Sequence, residues 1–129
     1  MLSQTFIIFE QFPWAYYLFV LIIGLLVGSF LNVVIYRLPL MMQREWRSDC
    51  QEFLELPAEK EPEKLNLLLP RSRCGHCGHQ ITALENIPLI SYLLLKGRCS
   101  ACKTHISIQY PLVELFTGII SVIIAWHFG

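Results

Sequence analysis

Two Cys-x-x-Cys pairs carry the clearest chemistry in this chain: Cys74 and Cys77 in RCGHCGH, and Cys99 and Cys102 in RCSACK. Thiolates spaced i, i+3 can grip one ion from a tight turn. Two such pairs complete a tetrahedral four-thiolate shell, for which zinc is the usual occupant. An iron–sulfur cluster takes the same ligands. A dithiol redox pair would use half of them, although two pairs with matching flanks suit one shared ion better. The glycines in Cys74-Gly75-His76-Cys77-Gly78 free the backbone to fold its amides around the sulfurs. With all four positions filled by protein, such a site is expected to be closed and structural. His76, His79 and His105 lie close by in sequence. Each could replace a cysteine ligand, or be a surface histidine beside a knuckle.

A second set of residues stands out for polarity in apolar surroundings. Glu114 follows Tyr110-Pro111-Leu112-Val113 about one turn inside an apolar run, where an ionisable group is a functional candidate; a carboxylate near a helix N-terminus is also stabilised by the dipole. Asn32 sits near the end of another apolar run, GSFLNVVIYRLP, and must find a partner or meet water. Arg37 closes that run, and Glu85 precedes Asn86-Ile87, where it could serve only as a helix cap. Other chemistry has no support. Asp49 is the single aspartate, so the chain holds no aspartic dyad. G-x-S-x-G, H-E-x-x-H, P-loop and G-x-G-x-x-G motifs are missing.

The elements that must position these groups follow from composition. Hydrophobic residues make up 54% of the 129 and charged residues 16%, well under the roughly 25% charge of soluble domains. Residues 11–36 and 115–129 carry no Asp, Glu, Lys or Arg. This predicts a membrane α-helical protein with two transmembrane helices, 14–36 and 110–127. They flank a loop, 37–109, whose zinc knuckle spans 74–102; residues 1–13 precede the first helix. The first run has no basic n-region and is too long for the h-region of a signal peptide. Arg37, Arg44 and Arg47 follow it, and Lys96, Arg98 and Lys103 precede the second, so the positive-inside rule places the loop in the cytoplasm and both termini, residues 1–13 included, outside. A reducing cytosol agrees with metal-binding rather than disulfide-bonded cysteines. The formal net charge is +0, so no nucleic-acid partner is expected.

Within the loop, Pro39 is expected to end the first helix. Residues 43–70 read as a charged linker with a short helix over Arg44–Leu56 and a free thiol at Cys50. The apolar stretch Ile87–Leu95 is too short to span and is expected to be a short interfacial helix pinned by the knuckle. In the first helix, Gly24 and Gly28 are spaced for close helix contact, though glycine is also common in membrane helices.

GSFLNVVIYRLP, RSRCGHCGH, ENIPLISYLLLKGRCSACK and ISIQYPLVE, in this order and spacing, resemble the amino-terminal, cysteine-rich part of the bacterial prepilin leader peptidase/N-methyltransferase family. The resemblance covers about Leu21 to Glu114. It implies a multi-pass bacterial inner-membrane enzyme of type IV pilus or type II secretion systems. Such an enzyme cleaves the leader from type IV prepilins or pseudopilins, then methylates the new amino terminus with S-adenosylmethionine. The family's peptidase uses two membrane aspartates in later helices, so this chain is expected to carry the methyltransferase-associated region and to lack that dyad. Cys74, Cys77, Cys99 and Cys102 match the family's four cysteines. Methyl transfer to an amine needs alignment and a base, for which Glu114 and Glu85 are candidates. Asn32 and Arg37 are candidates for holding the donor or peptide. Membrane lipids and further transmembrane helices are expected partners. The alternative is a zinc-stabilised membrane adaptor, or a non-catalytic fragment of the pilus or secretion apparatus.

Overall fold

A computed structural model describes residue 7, residues 11–57 and residues 64–128. Most of the predicted stretch 1–13, and Glu59, Lys60, Glu61, Pro62 and Glu63 of the linker, lie outside them. Among the described residues, two long helices pack against each other, and the cysteine loop closes over one end of the pair.

Helix α1 runs Pro13–Phe53. Pro13 at its first position has a preset φ and no donor to lose, and the apolar run behind it propagates the helix. At 41 residues it is about 60 Å long, roughly twice a bilayer's hydrocarbon thickness. Pro39 does not end it. A proline removes one donor and crowds one carbonyl, a cost of about 3 kcal/mol. Leu40, Met41, Met42, Gln43, Arg44 and Glu45 beyond it are strong helix formers, so the helix resumes at once. The separate helix expected over Arg44–Leu56 is therefore the continuation of α1.

The chain returns through a turn at Asn66, whose Oδ1 accepts from the Leu68 and Leu69 amides at 2.8 and 2.6 Å. Two short hairpins follow, one per cysteine pair, closed by antiparallel bridges Arg73–Gln80 and Arg98–His105. They are built alike. Cys74 N–H donates to His79 O at 2.8 Å and Cys99 N–H to Thr104 O at 2.9 Å. The residue after each second cysteine is left-handed: Gly78 at φ +73 and Lys103 at φ +60. Glycine adopts this conformation without steric cost at Gly78, and the second hairpin holds a lysine in it at some cost.

Between the hairpins the chain makes a 3₁₀ turn, Leu84–Asn86, and the short helix α2, Ile90–Leu94. The helix expected over Ile87–Leu95 is cut to five residues, because Pro88 and Leu89 form a tight turn in front of it. Leu89 stands at φ 58, ψ −45, and Ile90 N–H donates to Pro88 O at 2.6 Å. This is the strained, positive-φ form of the γ-turn.

Helix α3, Gln109–Phe128, runs back antiparallel to α1. Contact is through glycine. A Cβ on Gly24 would lie 2.9 Å from Gly118 Cα, and one on Gly28 would lie 2.7 Å from Glu114 Cα. Asn32, one turn on, donates from Nδ2 to Tyr110 O at 2.9 Å. Positions 24, 28 and 32 thus meet 118, 114 and 110, a register stepping four residues on both helices. Thr117 and Ser121 satisfy their hydroxyls on carbonyls four residues back, those of Val113 and Thr117. Both helices are long and apolar enough to cross a membrane by length and composition. Their outward faces carry Phe19, Ile22, Leu26, Phe30, Phe116, Ile123 and Ile124, all about half exposed or more.

Candidate functional site

The four cysteine sulfurs lie within 4.8 Å of one another. Cys74 and Cys102 Sγ are 3.7 Å apart, and Cys77 and Cys99 Sγ 3.9 Å. Each close pair joins one hairpin to the other. Four sulfurs about 2.3 Å from a tetrahedral ion stand about 3.8 Å apart, so the cage fits one metal ion. A disulfide needs about 2.05 Å; all four thiols are free. Cys99 is buried, at 7% exposure, while Cys77 is exposed. The donors around Cys74 and Cys102 favour thiolate, the form that binds metal, whereas at Cys77 the His79 N–H is outweighed by burial and the neighbouring cysteine sulfurs, which raise the thiol to about 11. The Thr104 hydroxyl, 3.1 Å from Cys102 Sγ, and then the Thr104 N–H pull that thiol down to about 6. The N–H groups of Cys77 and His76 lower Cys74. Of the nearby histidines, none joins the cage.

Glu85 bridges the two halves. Its carboxylate accepts from Thr82 N–H at 2.8 Å, and Thr82 Oγ1 accepts from Glu85 N–H at 3.3 Å, a reciprocal cap for the 3₁₀ turn. It also accepts from the Ser100 hydroxyl and lies 3.3 Å from His79 Nε2. His79 belongs to the first hairpin and Ser100 to the second. Donation from Ser100, then from Thr82, holds the carboxyl at about 2, against an ordinary 4.5. The folded chain therefore keeps Glu85 ionised at a pH where the unfolded chain protonates it. Its stabilisation is complete above about 4.5 and fades as pH falls towards about 2. In a comparison of unfolding midpoints across that window, the advantage of wild type over Glu85→Gln should shrink steadily with acid. An advantage independent of pH would show that the carboxylate charge contributes nothing.

The other three sequence candidates lie towards the loop end of the helix pair, each with its own partner. Asn32, Arg37 and Glu114 are the buried polar side chains among the described residues, at 5%, 7% and 9% exposure. Glu114 Oε2 accepts from Leu89 N–H at 2.8 Å, which ties α3 to the strained turn. Arg37 donates to the carbonyls of Asn66, at 2.9 Å, and Pro70, which clamps the returning linker onto α1. Asn32 Oδ1 is buried without a partner. Cys50 is exposed on α1, far along the chain from the cage. The sequence reading overlooked Thr104, Ser100 and Leu89. The matching hairpins could have pointed to Thr104, which stands two residues after the second cysteine as His79 does; nothing local marks Ser100 or Leu89.

Residues 22–128 match the family described as Bacterial Peptidase A24 N-terminal domain. A protein of Stutzerimonas stutzeri named prepilin leader peptidase/N-methyltransferase is 65% identical over 117 residues, 91% of this chain and 40% of that protein. One of the same name from Pseudomonas aeruginosa is 54% identical over 117 residues, again 91% and 40%. A third, from Neisseria gonorrhoeae, is 52% identical over 109 residues, 84% and 38%. The chain thus spans about 40% of the length of these curated relatives. No solved structure matches it.

Proposed function

The chain belongs to the bacterial peptidase A24 N-terminal domain family, and from that membership we propose that it is the methyl-transfer part of a bifunctional prepilin peptidase. The complete enzyme would cleave type IV prepilin or pseudopilin leaders and methylate the new amino terminus with S-adenosylmethionine. Leader cleavage would be the work of residues outside this chain, whose one aspartate is Asp49. We place α1 and α3 across a bacterial inner membrane and the cysteine loop on its cytoplasmic side. The apolar outward faces and the basic residues at the loop end of both helices support this placement. Lipids and further helices of the complete enzyme would cover those faces.

The thiolates of Cys74, Cys77, Cys99 and Cys102 would hold zinc, which suits an all-sulfur tetrahedral cage. Bound there it supplies a structural cross-link. Glu85 braces that cross-link from its second side through His79 and Ser100, a positioning task. Glu114 remains the candidate for contact with the reacting amine, with Asn32 beside it. The observation that carries this reading is the convergence of Asn32, Arg37 and Glu114, all buried, at the one end of the helix pair that the loop covers. A buried polar seam between apolar helices is costly unless it is used.

The test is a titration of S-adenosylmethionine into the detergent-solubilised chain. Saturable binding is expected; its absence would remove the methyl-transfer reading and favour a zinc-stabilised membrane adaptor.

A further inference from the structure

Tyr110 O can only accept a hydrogen bond, so the Asn32 atom that faces it at 2.9 Å must be the amide nitrogen. That fixes the orientation of the side chain. The atom left over, Oδ1, is an acceptor, buried without a partner, in a residue 95% enclosed by its 5% exposure. A buried acceptor without a donor costs stability. Whatever satisfies it must bring an N–H or O–H.

The register sets the neighbour. Asn32 meets Tyr110, and one turn further Gly28 meets Glu114. The two positions are therefore about 6 Å apart along the helix axis, a separation that one small donor group held between their side chains can bridge. Glu114 spends Oε2 on Leu89 N–H, and its Oε1 has no partner among the described residues. Arg37, the buried cation nearest in sequence, is directed to the carbonyls of Asn66 and Pro70 and makes no ion pair with Glu114. The seam thus presents the Asn32 amide oxygen, buried without a partner, and one turn away a carboxyl group with one oxygen committed to Leu89. A donor with a single N–H would satisfy Asn32 alone; a cationic one with several N–H groups can reach both oxygens at once. The strained turn at Leu89 borders this place through its bond to Glu114, and rearrangement there would open the approach and relieve the strain.

We propose that Asn32 Oδ1 and Glu114 Oε1 form a binding site for a protonated primary amine, either the amino terminus of a peptide or the amino-acid end of the methyl donor. The inference rests on the reading of the chain as an amine-methylating module and assigns Asn32 and Glu114 to one shared ligand group.

The experiment titrates three probes separately into the detergent-solubilised chain: a short apolar peptide with a free α-amino group, its N-acetylated twin, and S-adenosylmethionine. If the amine is the peptide's, the free peptide binds roughly 10- to 100-fold more tightly than the acetylated one, and the preference disappears in Glu114→Gln and Asn32→Leu. If it is the donor's, the same two substitutions weaken S-adenosylmethionine by that factor and leave the peptides level. Wild-type affinities for all probes in both variants would overturn the site. Folding gives a second readout. Asn32→Leu removes the unpaired acceptor and, with it, the bond to Tyr110 O, two effects of opposite sign, so its thermal midpoint should move little while amine binding is lost; a clearly lowered midpoint with amine binding intact would make Asn32 merely structural. A wild type that prefers the free amine but binds no S-adenosylmethionine would remove the methyl-transfer reading and leave the amine site standing.

Discussion

Replacing Cys99 by serine should empty the cage of metal. Cys99 is the buried member of the four, and its N–H and carbonyl shape the second hairpin through Thr104 O and Lys103 N–H. A serine hydroxyl does not ionise near neutral pH and cannot replace a thiolate. Apparent metal binding in small zinc modules is worth roughly 10–16 kcal/mol and is also folding energy. Loss of one ligand in four should therefore cost several kcal/mol, or on the order of a thousandfold or more in affinity. The metal content of purified protein should fall from near one per chain to near zero, and proteases should cut between residues 72 and 106 while α1 and α3 stay intact. Cys50→Ser is the control. That thiol is exposed and outside the cage, so metal content should not change. A Cys99→Ser protein that still carries a full complement of metal would remove the cage from the account.

The second large effect concerns the helix pair. Gly28→Leu puts a Cβ about where the Glu114 backbone runs: the built atom falls 2.7 Å from Glu114 Cα and 2.5 Å from Thr117 Oγ1. The threonine hydroxyl could rotate away, but Cα cannot, so the helices must separate. Separation breaks the Asn32–Tyr110 bond and strips the packing around Glu114. Overpacking of this kind costs typically 1–3 kcal/mol, and the lost polar contact adds about 1 kcal/mol. A thermal melt in detergent should show a clearly lowered midpoint, with amine binding lost alongside. Gly75→Ala supplies the contrast, since a Cβ there meets nothing within 4 Å and the midpoint should not move. If Gly28→Leu melts like wild type, the close approach of the two helices is wrong.

Both predictions start from residues that the sequence marked, but for reasons it could state only in part. Paired cysteines at i, i+3 read as a metal cage because the spacing is local chemistry, complete within one turn of chain. The apolar helices read equally well, since a long uncharged run has few other fates. Pro39 was misleading because its penalty is local, while the outcome depends on the helix formers that follow it. The short helix before Leu95 was overdrawn, because the γ-turn at Leu89 is held by Glu114, a residue 25 positions away. Glu85 is the clearest case of partial legibility. A capping role is legible locally, although the sequence points to a helix at Asn86–Ile87 and the observed cap is with Thr82, three residues back; the bridge from His79 to Ser100 exists only once both hairpins fold around the cage.

The sequence by itself determined which four cysteines are spaced to act together, the two apolar helices and the identity of every polar residue that interrupts them. These are properties of composition and short-range spacing, and they survive without knowledge of what packs on what. Only the tertiary structure decided which of those polar residues meet. Asn32 and Glu114 are separated by 82 positions in the chain, and no periodicity relates them. Antiparallel packing through Gly24, Gly28 and Gly118 sets a four-residue register, and that register alone brings one side chain a single turn from the other. Tyr110 O then orients the amide, and the leftover oxygen acquires a meaning that no reading of Asn32 in isolation could supply.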